Sequence, residues 1–258
     1  MTQHTTFDMS SSESLITGFM LPTNLQRPPY NQRPEVSAVA QLALRRTGPD
    51  RVQIQQPWIH WRGLFEYLAC VEMARENLRA LPRNADLEIT HGTAAKYHSV
   101  ALVFMAQALM DNLAVWLTSF LGLPIKGGDR QLFSVQFRRQ LNKKAPEASE
   151  MLKRHDAYLR EVNKYRQIWI HTLSGGAVLW SDTSPFTDPA ARKQVAVPID
   201  PSINVLSESY RNRVKKCAER HGRYLYPICE FADRMADGAN ATVLDVLRFS
   251  LEFAKASK

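Results

Sequence analysis

Apolar residues recur at helical spacing along most of the chain. Over residues 64–82 they follow one another at steps of four and three, which places them on one face of an α-helix. Residues 102–120 repeat this spacing, and Gly122 ends the stripe. The pattern predicts two long amphipathic helices, and the first of them carries a charged residue, Arg75, within its apolar face.

The same spacing predicts helices over 147–173 and 210–235. We also expect a helix within the basic segment 130–144 and a last helix over 242–256. Gly175 and Gly176 end the helix over 147–173, and Gly238 separates the last two. Long amphipathic helices joined mainly by short connections are typical of an up-and-down bundle. We therefore expect an all-α fold built on four long helices and some shorter ones.

Residues 177–206 lack helical periodicity. Two short apolar runs, 177–180 and 195–198, flank a segment rich in Pro, Asp and Ser, a composition typical of turns. We expect an irregular insertion or a small β-hairpin here, and insertions of this length are often functional.

Residues 1–57 differ from the rest of the chain. They contain a Ser-rich run at 10–14 and several prolines that interrupt any long helix, and only 35–46 has helical spacing. The sequence predicts a Pro-rich N-terminal arm, either partly ordered or wrapping the body, followed by a helical domain over residues 58–258.

The apolar stretch 100–123 has the length of a membrane span, but Asp111 and Asn112 lie near its middle. Because a charged residue at the centre of a spanning helix costs about 2.5–3.5 kcal/mol, we expect a buried core helix. The chain has three cysteines in no metal-binding spacing, and its N-terminus lacks the basic and apolar regions of a secretory signal. These features predict a reduced, cytoplasmic protein with no membrane partner.

Common catalytic motifs do not occur in the sequence, which has no Gly-rich phosphate loop, no HExxH and no GxSxG. His91 and His98 lie two turns apart without an obvious third ligand. Cys217 and His221 lie one turn apart, either as the reactive pair of a small-molecule enzyme or as packing residues of an apolar stripe. We expect neither a metal nor a cofactor.

Arg166 is the most informative anomaly, since it occupies a position where the stripe calls for an apolar residue. A buried guanidinium without a partner is costly, so it must meet a carboxylate, face a cleft or bind an anion. His171 follows at the end of the same helix, rotated by about 140° around its axis. An alternative is structural: Arg166 pairs with Asp111 as a buried strut, and His171 caps the helix C-terminus.

Residues 166–171, with the sequence RQIWIH, resemble the R-x4–6-H motif of HEPN domains (higher eukaryotes and prokaryotes nucleotide-binding). The preceding long helix, with MDNL at 110–113, is similar to a HEPN core helix, and the resemblance covers about residues 60–175 and extends toward 236. Leu173 stands where HEPN toxins paired with nucleotidyltransferase antitoxins often carry a tyrosine, so we do not assign that subfamily.

The resemblance implies a metal-independent ribonuclease whose site is assembled from two copies of the chain. In it, His171 exchanges protons with the RNA 2′-hydroxyl or the leaving 5′-oxygen, and Arg166 stabilises charge on the phosphate. Gln167 would position His171, and Asp111 and Asn112 would orient Arg166. The apolar end of this helix suits a two-fold interface.

The net charge of +8 is concentrated in one segment, 126–166, which holds 11 basic against 5 acidic residues. Such a cluster favours RNA binding that weakens with salt. The candidate phosphate contacts are Arg138, Arg139, Lys143, Lys144 and Lys164. The alternative is a solvated helix face.

Besides the small-molecule enzyme that Cys217 and His221 would serve, two functions remain open on the sequence alone. The first is a homodimeric HEPN endoribonuclease acting in a toxin or phage-defence setting, with an antitoxin or other defence protein as a possible partner. The second is a non-catalytic HEPN-like helical module that binds a protein or RNA.

Overall fold

A computed structural model describes residues 55–82, 88–125, 127–171, 176–181, 193–198 and 225–256 of the 258-residue chain. Its helices are α1 (Gln55–Arg79), α2 (Ile89–Leu121), α3 (Val135–Lys144), α4 (Pro146–Arg154), α5 (Asp156–His171) and α6 (Ile228–Ala256). A 3-10 turn spans Gly127–Asp129, and three short strands complete the fold: β1 (Val178–Ser181), β2 (Lys193–Pro198) and β3 (Leu225–Pro227). The predicted helical bundle with a small β insertion is confirmed.

Helices α1, α2, α5 and α6 pack around one hydrophobic core. Helix α6 runs antiparallel to α5, as Tyr158 donates to the Met235 carbonyl at one level and Tyr165 packs against Phe231 at another. Between α2 and α6, Trp116 donates to the Ser250 hydroxyl at 3.2 Å within the core. Alternating directions and shared apolar faces make this an up-and-down bundle.

Arg75 interrupts the apolar face of α1 as the sequence indicates, and it is nevertheless 1% exposed. It forms ion pairs with Glu72 on its own helix and, at 3.3 Å, with Asp237 of α6. Glu72 in turn accepts a hydrogen bond from Asn240 at 2.5 Å. A buried charge network therefore joins α1 to α6 within an otherwise apolar contact.

The N-terminal ends of α1 and α2 lie upstream of the predicted stripes. Helix α1 begins at Gln55, with Pro57 tolerated in its first turn, where no intrahelical N–H is required. Residues 1–54 of the predicted arm lie outside the described residues. Helix α2 begins at Ile89 with a capping box between Glu88 and His91, and it ends as predicted at Gly122, whose φ of 64° is left-handed.

The predicted helix over residues 147–173 is wrong as a single element, because α4 and α5 are separated at His155. The backbone there has φ −97° and ψ 0°, and the His155 side chain turns to Asp245 of α6 at 2.9 Å. The apolar spacing continues across the break because both helices cover the same core.

Gly238 does not end a helix, and the prediction that it separates two helices is wrong: α6 continues through it. A Cβ at this position would lie 2.3 Å from Tyr158 Cδ2, so the glycine permits close packing of α5 on α6. The predicted helix over 210–235 is also wrong at residues 225–227, which form β3; residues 210–224 lie outside the described residues.

The strands form an antiparallel sheet in the order β1-β2-β3. Both predicted strands are present, whereas β3 was not predicted. The segment before β1 is held on α2, since the Ala177 N–H donates to the Ser99 hydroxyl at 2.8 Å. Gly92 of α2 also lies so close to Leu179 that a Cβ would approach it to 3.1 Å.

Helix α2 is long and apolar enough to cross a membrane by length and composition, and 56% of its most apolar window is buried within the protein. It contacts α1, α5 and α6. A core helix of a bundle satisfies the same criteria, so these features describe α2 without assigning it to a membrane.

Candidate functional site

Helix α5 carries Arg166 and is fixed against α6 by residues that precede Arg166 on the helix. The carboxylate of Glu161, which is fully buried, accepts hydrogen bonds from the Arg234 guanidinium at 2.8 and 2.9 Å. Tyr165 packs edge-on against Phe231, with ring centroids 5.2 Å apart. These contacts commit one face of α5 to α6 and leave Arg166, next to Tyr165 in sequence, on a different face.

Arg166 is partly buried and lies near Asp111 of α2 without closing on it. Within the described ranges, no carboxylate oxygen is within 4.0 Å of its guanidinium. Its positive charge nevertheless acts on Asp111. Burial raises the pKa of the Asp111 carboxyl, while the hydrogen bond from Gln107 and then the charge of Arg166 oppose that rise. The closed Arg166–Asp111 strut is therefore not formed.

Gln107 is the functional candidate that the sequence analysis missed. Its amide Nε2 donates to Asp111 Oδ1 at 3.0 Å, from one turn earlier on α2. The residue is 4% exposed, and its Oε1 is buried with no hydrogen-bond partner among the described residues. The available signal was a polar residue within an apolar helix, four positions before an aspartate.

Asn112 faces a different helix from Asp111. A Cβ added to Gly63 of α1 would lie 2.7 Å from Asn112 Nδ2, so Asn112 points at α1. Consecutive helical positions differ by about 100° in direction, which explains why the two neighbours part. Of the two residues expected to orient Arg166, the structure brings only Asp111 to it.

His171 is the last residue of α5, and its side chain lies outside the described parts of the chain. Its backbone lies about 7.5 Å beyond that of Arg166 along the helix axis. Gln167 is exposed. In the apolar last turn, Ile170 is 47% exposed, while Trp169 is partly buried against Phe231.

The predicted RNA contacts divide into two groups. Arg138 is held in place, donating to the Leu132 carbonyl and to Asp156, both at 2.6 Å. Because Asp156 begins α5, this clasp lies about 15 Å along the helix from Arg166. The remaining candidates are Arg139, Lys143 and Lys144, which are exposed on α3, and Lys164, which is partly buried on α5.

The other candidate residues have local roles or lie outside the description. His91 accepts a hydrogen bond from the Glu88 N–H at 2.9 Å and caps α2. Burial lowers the pKa of His98, which contacts Tyr97 edge-on. Cys217 and His221 lie in the undescribed segment 199–224. Within the described ranges, no group of three or more His, Cys, Asp or Glu residues is arranged to hold a metal ion.

No protein-family model matches the chain, and no curated protein or solved structure matches it either.

Proposed function

We propose that the chain is a HEPN-type endoribonuclease that cleaves RNA without a metal and acts as a homodimer. The observation that carries this proposal is the state of Arg166. Its guanidinium is partly buried at the α2–α5 interface, yet no carboxylate among the described residues lies within 4.0 Å of it. A guanidinium held in this way keeps its N–H donors available for a phosphate.

The proposed reaction uses the RNA as its own nucleophile. The 2′-hydroxyl loses its proton to one imidazole and attacks the adjacent phosphorus, while the bond to the 5′-oxygen breaks and a second imidazole protonates that oxygen. The products are a 2′,3′-cyclic phosphate and a 5′-hydroxyl. A two-fold dimer brings one His171 and one Arg166 from each copy, which provides the acid, the base and two guanidinium groups.

The test is cleavage of single-stranded RNA by the full chain in the presence of a chelator. We expect Arg166→Ala to lower the rate by about 100- to 1,000-fold, as removal of a preorganised charge-stabilising donor does. We expect His171→Ala to lower it by about 100- to 10,000-fold. Arg160→Ala, an exposed arginine of the same helix, is the matched control and should cleave like the wild type.

Equal cleavage by the wild type, Arg166→Ala and His171→Ala would show that the activity belongs elsewhere. The dimer is tested separately by sedimentation of the wild type at the concentrations used for cleavage. For the toxin or defence setting, expression of the wild type should slow bacterial growth, whereas expression of Arg166→Ala should not.

A second candidate is a non-catalytic helical module that binds RNA or a protein. The exposed cations of α3 favour it, because Arg139, Lys143 and Lys144 follow Arg138, which contacts Asp156 at the start of α5. Salt-sensitive RNA binding without cleavage by the purified wild type would support this candidate and contradict the first.

A further inference from the structure

Gln107, Asp111 and Arg166 form a polar cluster where α2 faces α5. Gln107 and Asp111 are one turn apart and joined by a hydrogen bond of 3.0 Å, and Arg166 approaches from the other helix. On α5, Val162 lies one turn before Arg166 and is fully buried. Gln107 is buried while Asp111 and Arg166 are partly buried, so solvent screens their interaction less than it would at an exposed surface.

We propose that Arg166 binds an oxyanion of the sulfate or phosphodiester class, and that Asp111 takes up a proton when the anion binds. The inference rests on the proposed function only for its natural ligand, an RNA phosphate. The coupling itself belongs to the three side chains and is measurable with sulfate.

The coupling follows from competition for one guanidinium. An ionised Asp111 attracts Arg166 and repels an incoming anion, so it opposes binding. A neutral Asp111 does neither. The anion and the proton affect each other reciprocally. If protonation of Asp111 strengthens anion binding by a given factor, anion binding strengthens the protonation of Asp111 by the same factor.

Gln107 can accommodate both forms of the carboxyl. Its Nε2 donates to the ionised Asp111, and its Oε1 is a buried acceptor that no described residue uses. Rotation of the amide by half a turn would let a protonated Asp111 donate to that oxygen. The unused acceptor therefore has a role in the second state.

The surroundings of Asp111 make it the group that responds. Burial already raises the pKa of this carboxyl. Among the described residues, Arg166 is the charged side chain that acts on it, and Gln107 is its neutral partner. Asn112, the residue after Asp111, faces Gly63 of α1, and neither of these two residues carries a charge. His171 titrates on the same helix as Arg166 and must be removed in the test.

The experiment is sulfate titration of the full chain by calorimetry, since sulfate does not change its charge between pH 5 and pH 8. The reference protein is His171→Ala, so that the imidazole does not contribute. We expect sulfate to bind about three- to tenfold more tightly at pH 5 than at pH 8. Comparing two buffers with different ionisation enthalpies then measures the proton taken up.

Four variants in this background separate the contributions. Asp111→Asn should bind sulfate with the same affinity at both pH values and take up no proton. Gln107→Leu should move the transition to higher pH, because a hydrogen bond that favours the carboxylate is lost. Arg166→Ala should not bind, and Glu252→Gln, which removes an exposed carboxylate of α6, should behave like the reference.

The same pH dependence in the reference and in Asp111→Asn would overturn the proposal, as would sulfate binding that survives in Arg166→Ala. Thermal unfolding of each variant verifies that it is folded. RNA cleavage without proton-coupled sulfate binding would leave the proposed function and remove this inference. Proton-coupled sulfate binding without RNA cleavage would support this inference and contradict the proposed function.

Discussion

Glu161 and Arg234 form a buried ion pair that fixes α5 to α6, and Glu161 lies five positions before Arg166 on α5. The carboxylate is fully buried, the arginine side chain is 21% exposed, and their closest atoms are 2.6 Å apart. Burial raises the pKa of Glu161, and the hydrogen bonds and charge of Arg234 oppose that rise. The pair determines which face of α5 meets α6, and thereby which face is left for Arg166.

Replacing Arg234 with methionine should strongly destabilise the protein. The variant leaves a buried carboxylate without its partner, which costs about 3–5 kcal/mol of the free energy of unfolding. Because the folded-state pKa of Glu161 then rises further above its unfolded value, stability falls as the pH rises through that interval. Urea unfolding should show a larger loss at pH 8 than at pH 5.

Arg248→Met is the matched control for this prediction. Arg248 is 56% exposed and lies 3.9 Å from Asp245, so its loss should cost less than about 1 kcal/mol. A similar destabilisation by both variants, or one independent of pH, would contradict the role assigned to the buried pair.

The sequence predicts the helices well where spacing and end signals agree. The apolar stripe and Gly122 correctly predict α2 and its C-terminal end, because a left-handed residue without a Cβ is a local requirement. Gly238 is also a glycine, but the reason is different: Tyr158 approaches it closely from another helix. That reason is tertiary, and no local pattern distinguishes the two glycines.

The candidate site residues are also predictable from sequence only where a local pattern marks them. Arg166 stands out because it breaks an apolar stripe, and its charge acts on Asp111 of α2. Gln107 escaped notice because a single glutamine on a long helix is ordinary. Arg138 was grouped with its basic neighbours because sequence cannot show that Asp156, eighteen positions away, occupies it.

Gly238→Ala should destabilise the protein, contrary to the usual effect of that substitution in a helix. Alanine normally improves a helix by about 1 kcal/mol. Here the added Cβ would overlap the Tyr158 ring, which is held by a hydrogen bond of 2.9 Å to Met235, so we expect a loss of about 1–3 kcal/mol.

Chemical denaturation measures this loss, and Gly128→Ala serves as the control because a Cβ there meets nothing within 4 Å. Combining Gly238→Ala with Tyr158→Leu should recover part of the stability. No recovery would indicate that the ring is not the obstacle.

Removing the Arg138 side chain and removing the Arg139 side chain should affect different properties of the protein. Arg139 is exposed, so Arg139→Ala should weaken RNA binding and reduce the salt slope by about 0.7 if it contacts one phosphate of a single strand. Arg138→Ala should instead lower thermal stability and leave the slope unchanged, because the guanidinium is bound to Asp156. Filter binding at several salt concentrations distinguishes them, and equal slope changes would refute the distinction.

Asp111→Asn should make the protein more stable at pH 8 than the wild type. The folded-state pKa of Asp111 is raised, so the ionised carboxyl opposes folding above that pKa and ceases to do so as the pH falls through it. Urea unfolding should therefore show a gain at pH 8 that shrinks toward pH 5. A loss at pH 8 would mean that the carboxylate is a net stabiliser.

The register of the small sheet places Pro198 directly opposite Leu225. The chain thus leaves the sheet and returns to it at adjacent points, whatever path residues 199–224 follow. Closing a longer loop between fixed ends costs only about 0.6 kcal/mol for each doubling of its length. A reporter domain or an affinity tag whose own two ends lie close together therefore fits the separation between these two strand ends.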